Sequence, residues 1–137
     1  MSSIQYDAIH NGLTAFQGDA IAQYMRTDFI TLPDDLCVGE ARDRFISQLS
    51  LQDIPGQLFV VAGKTLRGVL SIKKLLQEKD LKLPIIHLMD NCLLRVKPDA
   101  ERAEVVAILA QRELDVIPVV DKGELVGCLT MKEIVHL

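Results

Sequence analysis

The sequence predicts an α/β (α+β) protein made of two copies of one unit, each a small three-stranded sheet with helices on one face, packed as a pseudo-twofold pair. Two observations predict it: an internal repeat, and within each copy a change from helical apolar spacing to short β-rich runs. Ile21, Met25, Ile30 and Asp35 recur as Ile85, Met89, Leu94 and Asp99 at an offset of 64. Val60, Val61, Leu66, Gly68, Leu70, Ser71 and Lys73 recur as Val119, Val120, Leu125, Gly127, Leu129, Thr130 and Lys132 at an offset of 59. The first copy therefore carries five extra residues. They fall around Leu49 to Gln57, where Ser50, Asp53, Pro55 and Gly56 mark a loop.

Each copy opens with a short helical lead, Asp19 to Met25 and Pro84 to Met89, followed by a strand, Phe29 to Leu32 and Cys92 to Val96. Pro33-Asp34-Asp35 and Pro98-Asp99 suit the start of a helix, because proline tolerates the first turn and aspartate caps free N–H groups. The helices follow over Val38 to Leu49 and Glu101 to Arg112; Val38, Ala41, Phe45 and Leu49 fall on one face, which must be buried. Two β-rich runs come next, Phe59 to Ala62 with Arg67 to Ser71, and Val116 to Val120 with Leu125 to Leu129. Gly63-Lys64 and Lys122-Gly123 between them favour tight hairpins. Final helices are expected over Ile72 to Glu78 and Met131 to Leu137. A strand joined through a helix to a parallel neighbour crosses over right-handedly, which puts both helices of a unit on one sheet face. Three strands leave much apolar surface, and packing two units sheet to sheet would bury it.

Composition narrows the function. The chain has 137 residues, 49% of them hydrophobic, enough for one modest core or two small ones. Fifteen basic residues against 19 acidic give a net charge of −4, with no basic stripe and 4% aromatic residues, so nucleic acid is not an expected partner. Cys37, Cys92 and Cys128 are odd in number, widely spaced and free of any C-x-x-C pair, as reduced buried thiols would be. The apolar runs are too short to span a bilayer. His10, His87 and His136 lie apart, with no metal-like or nucleophile–base spacing. No G-x-S-x-G elbow surrounds Ser71 or Thr130 and no Walker phosphate loop occurs, so the chain is not expected to be an enzyme. Gly68 and Gly127 suit close packing or strand bending better than phosphate binding.

Phe59-Val60-Val61 with Gly68-Val69-Leu70-Ser71, and Ile117-Pro118-Val119-Val120-Asp121 with Gly127-Cys128-Leu129-Thr130, repeat one pattern: an apolar run, a hairpin, a glycine, a strand and a hydroxyl opening the last helix. The chain resembles a tandem cystathionine-β-synthase (CBS) domain pair, or Bateman module, over about Asp19 to Leu137. The expected divisions are a stub over 1–18, a first CBS domain over 19–83 and a second over 84–137. The string from Asp19 to Leu32 (DAIAQYMRTDFITL), with Val38-Gly39-Glu40-Ala41, is similar to the cytosolic module of MgtE-type magnesium channels. In that family a helical domain precedes the pair and a membrane domain follows it. The short stub and the stop at His136-Leu137 suit a piece excised from such a protein, on the cytoplasmic side of the membrane; a stand-alone protein is the alternative.

The resemblance implies two kinds of ligand. In CBS pairs that bind adenine nucleotides such as ATP or AMP, the hydroxyl opening the last helix and an Asp three residues later commonly contact the phosphate and ribose regions. Thr130 and Glu133 match that pair in the second copy, although Thr-x-x-Glu is also a capping box that needs no ligand. In the first copy Ser71 is followed by Lys74, which cannot accept from ribose. Ile30, Leu94, Val116 and Pro118 can line an apolar adenine slot, or can be ordinary core. For magnesium, Asp34, Asp35, Glu40 and Asp43, with Asp99, Glu101 and Glu104, can present carboxylates to hydrated Mg2+, although acids near a helix N-terminus are also stabilising without metal. The resulting expectation is a homodimer that senses Mg2+ and gates an attached membrane domain. The alternatives are an adenine-nucleotide sensor of another enzyme or transporter, and a ligand-free dimerisation module.

Overall fold

The computed structural model describes residues 19–49, 56–91, 94–112 and 116–134. The stub, most of the extra loop, Cys92, His10, His136 and the end of the last expected helix lie outside them. Two compact units are present: one is Asp28–Leu93, and the other joins the residues up to Thr27 with those from Leu94 onward. Both mix strands with helices.

In the unit Asp28–Leu93, β1 (Thr31–Pro33) runs parallel to β2 (Gln57–Ala62), which pairs antiparallel with β3 (Thr65–Ser71). Helix α1 (Val38–Gln48) makes the connection between the parallel pair, and the short α2 (Ile72–Gln77) follows β3. Burial along β3 alternates, as a half-covered strand should, whereas Leu58, Phe59, Val60 and Val61 of β2 are all buried. Val38, Ala41 and Phe45 of the predicted face of α1 enter a core with Leu32, Leu58, Val60, Leu70, Leu75 and Ile85, whereas Leu49, the fourth residue expected on that face, follows the helix as its C-cap and is exposed. Each fully buried aliphatic side chain there contributes about 1.5–3 kcal/mol relative to exposure. Helix α1 starts at Val38 as expected, but its cap is not an aspartate. Asp34 and Asp35 occupy a turn, and the residue capping α1 is Cys37, whose N–H donates to Glu40 Oε1 at 2.9 Å.

In the other unit, β4 (Ile117–Asp121) and β5 (Glu124–Leu129) form the expected antiparallel hairpin, flanked by α3 (Arg102–Arg112) and the short α4 (Met131–Ile134). Lys122 and Gly123 both take positive φ, 53° and 83°, the pairing a tight turn between right-twisted strands requires. The strand expected over Cys92 to Val96 is reduced, among the described residues, to one parallel bridge between Val96 and Val119. Val96 N–H donates to Pro118 O at 3.1 Å and Val96 O accepts from Val120 N at 2.9 Å. Ile21, Val105, Leu109, Ile117, Val119, Leu129 and Ile134 fill the core.

The leads pack in a way the repeat does not reveal. Ile21–Gln23 and Ile85–His87 form single 3₁₀ turns rather than longer helices. The first lies in the unit that holds the second copy's hairpin, and the second lies in the unit that holds the first copy's sheet. Arg26 exchanges both backbone hydrogen bonds with Cys128, at 2.8 and 2.9 Å, and Asp90 does the same with Val69, at 2.8 and 3.1 Å. Ile21 N–H donates to Ala100 O at 2.8 Å, and its counterpart Ile85 N–H to Leu36 O at 3.0 Å. Gly127 and Gly68 make these contacts possible. A β-carbon on Gly127 would lie 2.9 Å from Arg26 O and 2.6 Å from Met25 Sδ, and one on Gly68 2.8 Å from both Asp90 O and Met89 Sδ.

Candidate functional site

The two hydroxyls that open the last helices are both engaged locally, in different ways. Ser71 caps α2: its Oγ accepts from Lys74 N at 3.3 Å. In the second copy Glu133 reaches back, and its Oε1 accepts from Thr130 N at 2.7 Å and from Thr130 Oγ at 2.8 Å. This leaves Oε2 of a half-buried carboxylate to accept from a ligand. Lys74 is exposed on α2. The two copies therefore present unlike chemistry at matched positions, a cation in one and a carboxylate in the other.

The apolar candidates pack into the units. Ile30 lies against the core of Asp28–Leu93, and Leu94 against the core around Val105 and Leu109. Val116 and Pro118 are buried. The acids are dispersed. Asp34 Oδ2 is paired with Arg67 Nη1 at 2.9 Å, Glu40 serves the Cys37 cap, and Asp99 is buried at 1% exposure. Asp35, Asp43 and Glu104 are exposed, and Glu101 is half-buried. The N–H of Cys37, and after it the Cys37 side chain, hold the Glu40 carboxyl below its ordinary 4.5. No group of three or more His, Cys, Asp or Glu is placed to hold a metal ion among the described residues.

Two polar clusters were not visible in the spacing of the sequence. Arg42 on α1 donates to the carbonyls of Leu75 at 2.9 Å, Leu76 at 3.0 Å and Glu78, closing the C-terminal end of α2. Tyr24 of the first lead donates to Asp19 Oδ1 at 2.7 Å, Arg102 Nη2 lies 3.4 Å from Asp19 Oδ2, and the guanidinium sits 5.3 Å from the Tyr24 ring centroid. The hydrogen bond to Asp19 holds the Tyr24 phenol above its ordinary 10.0; desolvation and the Asp19 charge add to this, and Arg102 opposes it. Asp19 and Tyr24 break the repeat, since Leu83 and Leu88 stand at the matching positions. That departure is the signal that could have found the cluster.

Two sheet-and-helix units, each closed by a lead from the other copy, each carry a hydroxyl at the head of the last helix. Residues 85–137 match the family model of the CBS domain. The chain resembles a tandem CBS pair, most like the cytosolic module of MgtE-type magnesium transporters. It is 26% identical over 128 residues to the magnesium transporter MgtE of Thermus thermophilus, a match that covers 91% of this chain and 28% of the transporter. Among solved structures, the cytosolic domain of the Mg2+ channel MgtE in complex with ATP is 25% identical with a TM-score of 0.76, over 85% of this chain and 50% of that one. CBSX2 in complex with AMP shares the fold, at 23% identity and a TM-score of 0.71, over 86% of this chain and 94% of that one. No helix among the described residues is long and apolar enough to cross a membrane.

Proposed function

We propose that this chain is the regulatory CBS pair of a magnesium transporter, with CBS repeats over 19–83 and 84–137, acting as a homodimer on the cytoplasmic side of the membrane. It converts the Mg2+ level into the state of an attached pore. The observation that carries this reading is the 128-residue likeness to the MgtE transporter. The acids in and just before α1 and α3 supply the physics: Asp35, Asp43, Glu101 and Glu104 repel like charges on a facing domain until hydrated Mg2+ neutralises both faces. A compact state that binds the ion more tightly is then favoured in proportion to that difference in affinity. Calorimetry and small-angle scattering, on the parent protein with its flanking domains and millimolar-scale Mg2+, should show binding together with compaction. Absence of both overturns the reading.

A second reading, an adenine-nucleotide sensor, is favoured by Glu133 and by the ATP and AMP complexes of similar proteins. Thr130 and Glu133 would meet phosphate and ribose, with Leu94, Val116 and Pro118 of the same unit against the base; Ser71 and Ile30 are the matching hydroxyl and apolar residue of the other unit. Thermal shift with ATP, ADP and AMP should stabilise the wild type, and the ligand-induced part of that shift should be lost in Glu133→Ala. A wild type that does not respond sinks this reading and leaves a ligand-free dimerisation module.

A further inference from the structure

We infer that the first lead is closed at Asp19 and Tyr24 by an electrostatic clasp that ionic strength loosens, while the matching places of the second lead, over residues 83–89, are closed by apolar packing that it does not. The two leads share one backbone frame. Arg102 N–H donates to Asp19 O at 2.8 Å and Val38 N–H to Leu83 O at 2.8 Å; isolated bridges join Ala20 to Glu101 and Pro84 to Cys37; each frame ends in a reciprocal pair, Arg26 with Cys128 and Asp90 with Val69. The same residue types also anchor both, with Ile21 and Ile85 fully buried and Met25 and Met89 against Gly127 and Gly68. The side chains that close the frames differ completely. Around the first lead they are Asp19, Tyr24 and Arg102; at the matching places around the second they are Leu83, Leu88 and Val38.

Leu83 and Leu88 pack against the core that contains Val38. Nothing in that contact depends on salt at moderate concentration. In the polar triad the Asp19 and Arg102 side chains are 48% and 29% exposed, so mobile ions reach them and screen their attraction. Arg102 Nη1 also lies 3.5 Å from Ile134 O, so loosening the triad frees the guanidinium of its tie to the lead while α4 keeps its own contact.

Hydrogen exchange of the chain at about 0.05 and 1 M NaCl tests this, with each lead serving as the control for the other. The exchange of residues 20–25 should rise about two- to five-fold relative to residues 85–89 on going to high salt, the range an exposed ion pair supplies. The triple variant Asp19→Leu/Tyr24→Leu/Arg102→Val should lose that relative response. Should circular dichroism show that it does not fold, Asp19→Asn, which keeps a hydrogen-bond acceptor for Tyr24 but removes the charge, serves instead and should also lose it. Equal responses of the two leads in wild type, or a relative response that survives in the folded variant, would overturn the inference.

Discussion

Glu133 and Thr130 are joined twice within one turn, because a single carboxylate oxygen accepts from both the backbone N–H and the hydroxyl of Thr130, at 2.7 and 2.8 Å. Ser71, the counterpart of Thr130, instead accepts from Lys74 N at 3.3 Å. The Thr130 contact is a charge-assisted pair at the start of α4. Glu133→Ala should lower stability by about 1 kcal/mol, read as a shift of the urea midpoint at unchanged slope. Lys74→Ala, which keeps the backbone N–H that Ser71 uses, should change it little. An equal loss from both variants would show that the Glu133 contacts do not hold the helix start.

The glycines facing the leads should tolerate no side chain. Gly127→Ala places a β-carbon 2.9 Å from a backbone carbonyl, that of Arg26, and Gly68→Ala does so 2.8 Å from that of Asp90. Each should destabilise by about 1–3 kcal/mol. Removing the sulfur contact does not relieve the carbonyl contact, so Met25→Ala combined with Gly127→Ala should recover only part of the loss. Full recovery in the double variant would mean that the methionine alone sets the limit.

Arg42 satisfies carbonyls that helix α2 leaves without partners at its end. Arg42→Ala should cost about 1.5–3 kcal/mol, and Arg42→Lys should restore little, because an ammonium cannot span three carbonyls as the planar fork does. Chemical denaturation of the two variants checks both statements.

Two groups give stability a pH dependence of opposite sign. The Glu40 carboxyl is held below 4.5 in the folded chain, so its contribution is present above that value and fades as pH falls through the folded value. The Tyr24 phenol is held above 10.0, so its contribution is complete below that value and is lost as pH rises through the folded value. Glu40→Gln should flatten the acid limb and Tyr24→Phe the alkaline limb of a plot of unfolding midpoint against pH. A Tyr24 titration by ultraviolet absorbance with a midpoint at or below 10.0 would contradict the hydrogen bond to Asp19.

Much of the fold was legible in the sequence because local physics decides it. The spacing of Val38, Ala41 and Phe45 marks a buried helix face, and Lys122-Gly123 marks a tight turn; both need only neighbours along the chain. The exchange of leads was not legible. Matched residues such as Ile21 and Ile85 establish that the two leads are alike, but likeness does not say which copy each lead completes. The acids were harder still. Asp34 and Asp99 stand at the same kind of helix approach, yet one is paired with Arg67, far along the chain, and the other is buried. Spacing within one helix carries no information about a partner in another element. Cys37 took the cap expected from Asp34 or Asp35 because those two residues lie in a turn short of the helix start at Val38, and Glu40 is then the acid in reach of the cap's N–H.

The exchanged leads also put duplication and folding out of phase. Asp28–Leu93 is one uninterrupted stretch, inserted within a unit whose two pieces flank it in the chain. A ribosome working from the N-terminus therefore releases everything the inserted unit needs before the flanking unit has its hairpin, and Asp19–Thr27 must wait for residues made last. Cutting the gene at the repeat boundary would separate both units from a piece of themselves, whereas excising residues 28–93 removes one unit whole.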